Sequence, residues 1–198
     1  MDAARPQRGV WWGPFATLLF EAQLDRLVLH TGKRIFATTN DPQPIFESEE
    51  GAIKFVRRFY RVFYRELSDS YGHGSERPVL LHGDLHSFNI ILQPQPGSAS
   101  GAVRPVLIDF GDAHFGIPEA EFGAPVQEWW GTPMWEALLY RNGRGDGSGF
   151  NLRLALLYGV KRTLWAIVTN EVSSRRWMQR QHALLRCPRF LAACGLVE

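Results

Sequence analysis

Two short apolar runs in this chain each stop abruptly in a cluster of polar residues. Val79-Leu80-Leu81 leads into His82-Gly83-Asp84-Leu85-His86-Ser87-Phe88-Asn89, and Val106-Leu107-Ile108 leads into Asp109-Phe110-Gly111. Three apolar residues are too few for a helix and fit a short buried strand whose end releases the chain into a turn. Ile90-Ile91-Leu92 is a further strand of this kind, and the Pro-, Gly- and Ser-rich stretch 93–105 that follows it reads as a loop. The strands on either side of that loop are expected to form a hairpin with polar residues at both ends. A sheet this small cannot supply a core, so the rest of the chain must.

The rest reads as helix. Pro14 opens one, with Phe15, Leu18, Leu19 and Ala22 at helical spacing and Gly32 as its expected stop. Residues 34–48 are expected to be irregular, with a turn at Asn40-Asp41-Pro42. A second helix runs from about Glu49 to Leu67, with Phe55, Val56, Phe59, Tyr60, Phe63 and Tyr64 on its apolar side. Its other side carries Arg57, Arg58, Arg61 and Arg65, read as a solvated face. Asn151 to Asn170 is dense enough in apolar residues for a buried helix. Trp177 to Ala193 is another, broken or weakened at Pro188. Trp129, Trp130 and Trp135 are expected to pack in the core, and Gly143 to Gly149 to form a flexible loop. The fold class is therefore α+β and mainly helical, a single domain over 1–198 with its catalytic core at about 79–121.

Composition narrows the function. Hydrophobic residues at 45% exclude a disordered chain, and a net charge of +2 is too balanced for a nucleic-acid binder. The apolar N-terminal run from Val10 to Phe20 is too short to span a membrane, and Gly13 and Pro14 interrupt it against a signal-peptide reading. Cys187 and Cys194 fit neither a disulfide framework nor a zinc site, so reduced thiols and a cytoplasmic location are expected.

The polar clusters carry the chemistry. Transfer of a phosphoryl group from ATP needs one carboxylate at the attacking hydroxyl and oxygen ligands for magnesium. Asp84, Asn89 and Asp109 are of the required types, and both the His-x-Asp-x-x-x-x-Asn spacing and the Asp-Phe-Gly after a strand match that template. Asp and Asn also cap turns, but the two motifs together favour chemistry. The alternation His82-x-Asp84-x-His86 resembles a metal triplet only if the segment is a strand, which Gly83 opposes. Phe88 and Phe110 read as core residues.

The segments Leu81 to Asn89 and Val106 to Ala113 resemble the catalytic loop and metal-binding segment of the aminoglycoside phosphotransferase and choline kinase family. Gly116, Pro118 and Glu121 resemble the Gly-Asp-Pro-x-x-Asp pattern that follows, with Ile117 and Glu121 replacing its two aspartates. The resemblance implies a protein-kinase-like fold, of which this chain would be the larger, C-terminal lobe with a short hairpin carrying the active-site loops. It implies Asp84 as the catalytic carboxylate, and Asn89 and Asp109 as ligands of magnesium and so of the ATP complex. His82 and Glu121 would support the loop. Gly83 stands where many protein kinases have Arg, which points to a small-molecule hydroxyl as the acceptor.

Such a kinase also has a smaller lobe, with a phosphate-covering loop and a lysine. No glycine-rich loop precedes His82. Lys33, with Glu47, Glu49 or Glu50 as partner, qualifies only if Ile35-Phe36-Ala37 is a strand. The chain is therefore expected to be incomplete as given, with the smaller lobe supplied in cis or in trans. The alternatives are a non-catalytic kinase-like binding module and a metal-dependent hydrolase using the same carboxylates.

Overall fold

A computed structural model describes residues 14–37, 45–71, 78–95, 97, 102–143, 150–169 and 175–197. The apolar run before Pro14, the Asn40-Asp41-Pro42 turn and most of the Gly143–Gly149 stretch lie outside these residues. The described chain is mainly helical with two small antiparallel sheets. In order these are α1 (Pro14–Ala37), α2 (Glu49–Tyr71), β1 (Val79–Leu81), β2 (Ile90–Pro94), β3 (Val103–Leu107), β4 (His114–Gly116), α3 (Gly123–Trp129), α4 (Pro133–Gly143), α5 (Leu152–Thr169), α6 (Arg175–Arg186) and α7 (Pro188–Ala193). Short 3₁₀ turns at Ser87–Asn89, Phe110–Asp112 and Pro118–Phe122 link the strands and lead into α3.

The core gathers around α5. Leu154, Leu156, Leu157, Val160, Leu164 and Ile167 are buried, so this helix is apolar around most of its girth and belongs in the centre. Asn151 caps it, its Oδ1 accepting from Leu154 N at 3.0 Å. α2 lays its expected stripe against the same core, with Ala52, Val56, Phe59, Val62 and Phe63 buried and the arginines outward. Ser48 starts it, Oγ accepting from Gly51 N at 3.1 Å. At the crossing of α3 and α5, a Cβ on Gly159 would sit 2.2 Å from Val126 Cγ1, so only glycine permits that approach. A buried polar link joins three helices there. Gln127 Nε2 donates to Thr163 Oγ1 at 3.2 Å and to Gln181 Oε1 at 2.8 Å.

Several expectations are corrected. Gly32 does not end α1, which runs on to Ala37. A Cβ there would lie 2.6 Å from Ile53 Cγ1, so the glycine is a contact point between α1 and α2. Burial of Ile35 one turn later offsets the roughly 1 kcal/mol that a mid-helix glycine costs. Lys33 is therefore helical, exposed and 3.9 Å from Glu49, and the strand reading of its surroundings fails. Strands β2 and β3 run into both ends of the expected loop, pairing Ile90 with Leu107 through Pro94 with Val103. Pro94 and Pro105 are tolerated because a two-stranded ribbon consists of edges. β1 is not a buried strand. Leu81 is covered, but Val79 and Leu80 are exposed, and the partner is β4, which no periodicity announced.

The C-terminal helix divides as Pro188 suggested. α6 stops at Arg186, Cys187 turns extended, and Pro188 restarts the chain in a first turn where its missing N–H is no loss. Trp135 is buried and Trp130 packs against both Trp135 and Phe190, as the core reading held. Both cysteines are free, and burial pushes the Cys194 thiol up to about 12.

Candidate active site

The two polar clusters meet through their backbones. Ile108 N donates to Asn89 O at 3.0 Å, so the residue before Asp109 is tied to the end of the first cluster. His82 makes the second tie. Its Nε2 lies 2.7 Å from Ile108 O, and only a protonated nitrogen can donate to a carbonyl. Its Nδ1 then accepts from Asp84 N at 3.4 Å. One buried imidazole thus braces both loops, and the Phe110 ring covers it at 4.6 Å between centroids.

Gly83 is required twice over. It has φ of 84°, and a Cβ there would meet Asp112 O at 2.3 Å. The first loop therefore lies directly on the turn that follows Asp109. Glu121, entering α3 from the other side, closes the loop's backbone. Its Oε2 accepts from His82 N at 2.5 Å, and its Oε1 from Gly83 N at 3.3 Å. The longer glutamate reaches amides that would otherwise lack an acceptor.

Asp84 sits at the centre of this frame. Arg162 Nη2, from α5, donates to its Oδ1. His86 Nε2 approaches its Oδ2 at 3.2 Å. Because His86 Nδ1 accepts from Phe88 N at 3.2 Å, Nε2 carries the proton and is the donor. Asn89 is buried, and its Nδ2 donates back to Asp84 O at 2.9 Å, so its Oδ1 is the atom of the carboxamide able to accept or to hold a cation. Asp109 adopts φ 61° and ψ 67° and is the one non-glycine among the described residues with positive φ. Holding it there costs on the order of 1–3 kcal/mol, a strain that turns the exposed side chain out of the ladder.

Other residues at the site had no motif to mark them. Ser87 donates from its N and Oγ to the Glu128 carboxylate on α3, at 2.8 Å for the backbone bond. Arg180 on α6 donates from Nε to Gln127 O at 2.7 Å, fixing the end of α3 that carries Glu128. Glu119 is fully buried, accepting from Tyr71 and from Asn151 N at 2.8 Å, so it joins α2 to the start of α5. Arg162 did carry a signal: it is a guanidinium in the middle of a largely apolar helix, and such a group must reach a partner. Phe88 and Phe110 are corrected from core residues. They are 87% and 53% exposed, because among the described residues no layer lies above the short 3₁₀ turns that carry them.

Among the described residues no group of three His, Cys, Asp or Glu side chains is placed to hold a metal ion. The His82-x-Asp84-x-His86 triplet is not assembled, since His82 turns to Ile108. A magnesium held with a nucleotide needs fewer protein atoms, because water and phosphate supply the other oxygens. One carboxylate from Asp109 and one carboxamide from Asn89 fit that donor set.

The model of the phosphotransferase enzyme family matches residues 22–157. The chain belongs to this family. The matched span contains both polar clusters and Glu121, and membership implies a protein-kinase-like fold. Neither a curated protein nor a solved structure gives a significant match. No described helix of this phosphotransferase-family chain is long and apolar enough to cross a membrane.

Proposed function

We propose that this chain is the larger lobe of the kinase-like fold and that, completed by a smaller lobe in cis or in trans, it transfers the γ-phosphoryl group of ATP to a hydroxyl group of a small molecule in the cytoplasm. The observation that carries the reading is the pair of bonds from His82 and Asn89 to Ile108, which hold the Asp84 loop against the Asp109 turn. In this reading Asp84 orients the acceptor hydroxyl and receives its proton. Asn89 Oδ1 and the Asp109 carboxylate hold magnesium, which when bound offsets the charge of the phosphates. His82 and Glu121 keep the loop in place and touch no reactant. Gly83 supports a small acceptor, since its backbone contact with Asp112 excludes any side chain there.

Magnesium-dependent ATP consumption by the chain together with its smaller lobe, measured across a panel of amino sugars, amino alcohols and polyols, tests this. Transfer to one of them is expected, with Asp84→Asn abolishing transfer and Asp109→Asn weakening magnesium–ATP binding in calorimetry. Nucleotide binding without transfer to any hydroxyl would leave a binding module. Ester hydrolysis without nucleotide would leave a hydrolase.

A further inference from the structure

Arg162 reaches the Asp84 loop from outside everything the motifs mark. It lies on α5, beyond the family-matched span, and 78 residues after its partner. Gly159 lets α5 approach α3 at Val126, and Arg162 Cδ packs at ordinary contact distance, 3.5 Å, from where a Cβ on Gly123 would sit. The guanidinium ends on Asp84 Oδ1, with the two side chains 33% and 25% exposed, so the pair is partly removed from water.

We propose that Arg162 is the positioning residue of Asp84: it fixes the carboxylate plane and cancels its charge beside the nucleotide phosphates. The inference rests on the kinase reading above. A carboxylate offers about four acceptor sites. Arg162 takes one on Oδ1, while His86 and, at 3.4 Å, Asn89 Nδ2 take two on Oδ2, which leaves capacity for one substrate hydroxyl. The charge argument is as direct. Asp84, Asp109 and Asp112 stand on two loops in backbone contact, where a triphosphate would add several more negative charges. Among the described residues Arg162 is the arginine or lysine bonded to any of these three carboxylates.

Calorimetry with magnesium–ATP and steady-state ATP turnover, both on the full chain with its smaller lobe present, separate the two parts of this role. Arg162→Gln is expected to weaken nucleotide binding about tenfold by exposing the Asp84 charge. Arg162→Gln combined with Asp84→Asn should bind as tightly as the unaltered chain, because the charge to be cancelled is gone. Arg162→Lys keeps the charge without the planar fork, so it should retain affinity and lose about tenfold in kcat. A merely structural arginine would lower the unfolding midpoint and leave affinity and kcat of the folded fraction unchanged. Wild-type affinity and kcat in both single variants, or a tenfold loss that persists in the double variant, would overturn the assignment. Full transfer by Asp84→Asn, or no magnesium–ATP binding by the unaltered chain, would instead remove the kinase reading beneath it.

Discussion

Around α5 most apolar side chains are sealed from water, Leu152 and Trp165 being exceptions, while along the two small sheets most are not. Leu154, Leu157, Val160 and Ile167 are buried, whereas Leu80, Leu92, Phe115 and Phe88 are each more than 60% exposed. The polar groups differ in the opposite sense. In the helical body they are few and serve packing, as in the Gln127–Thr163–Gln181 link. At the strand edge they are dense, and they fix loops against one another through His82, Glu121, Asn89 and Arg162. Stability thus resides in the helices and the candidate chemistry in the loops, and the two should respond to different substitutions.

The largest effects should come from crossing the two regions. Leu157→Ala empties a site with no exposure and should lower the unfolding free energy by about 2–5 kcal/mol, read from denaturant midpoints. Asp84→Asn should shift that midpoint far less and reduce phosphoryl transfer by about 10²–10⁴. If Asp84→Asn destabilised the fold as much as Leu157→Ala, the loop would be part of the core and the division would fail.

The same division explains what the sequence disclosed. Helices α2 and α5 were legible because burial imposes a 3.6-residue period, and their observed bounds lie within a few residues of expectation. The Asp84 and Asp109 loops were legible as motifs by residue type and spacing, and the structure brings them into backbone contact. Glu119, Glu128 and Arg162 were not read as site residues, since each acts across more than 30 positions of sequence and nothing local records its partner. Gly32 misled because a glycine that admits a neighbouring helix looks the same in sequence as one that ends its own. β4 escaped because three residues carry no period, and Phe88 because an aromatic residue in a motif gives no sign of what covers it.

A smaller effect distinguishes the regions by pH. Burial pushes the Tyr60 and Tyr158 phenols and the Cys194 thiol up to about 12, from ordinary values of 10.0 and 9.0. For Tyr158 the charge of Glu119 adds to that burial. All three groups stay protonated in the folded helices at a pH where the unfolded chain has released its protons. Their contribution to stability is therefore complete below about pH 9 and falls as pH rises toward 12. Lys161, lowered from 10.5 by burial, acts in the opposite sense, but it is one group against three. Urea midpoints should accordingly decline between pH 9 and 12, in step with phenolate absorbance. Midpoints flat across that range would mean that the aromatic layer between α2 and α5 admits water.

The smallest expected effect tests whether the strand edge is open in solution. Phe88 is 87% exposed, and its ring touches His86 only edge-on, at 5.9 Å between centroids. A side chain in that position has almost no burial to lose, so Phe88→Ser should change unfolding free energy by no more than about 0.5 kcal/mol. His86 keeps its bonds to Phe88 N and to Asp84, neither of which uses the phenyl ring, so the loop has no reason to rearrange. The measurement belongs at two protein concentrations well apart. A loss above about 2 kcal/mol, at the level of a buried phenylalanine, would show that something covers the edge. Dependence of that loss on concentration would identify the cover as a second copy of the chain.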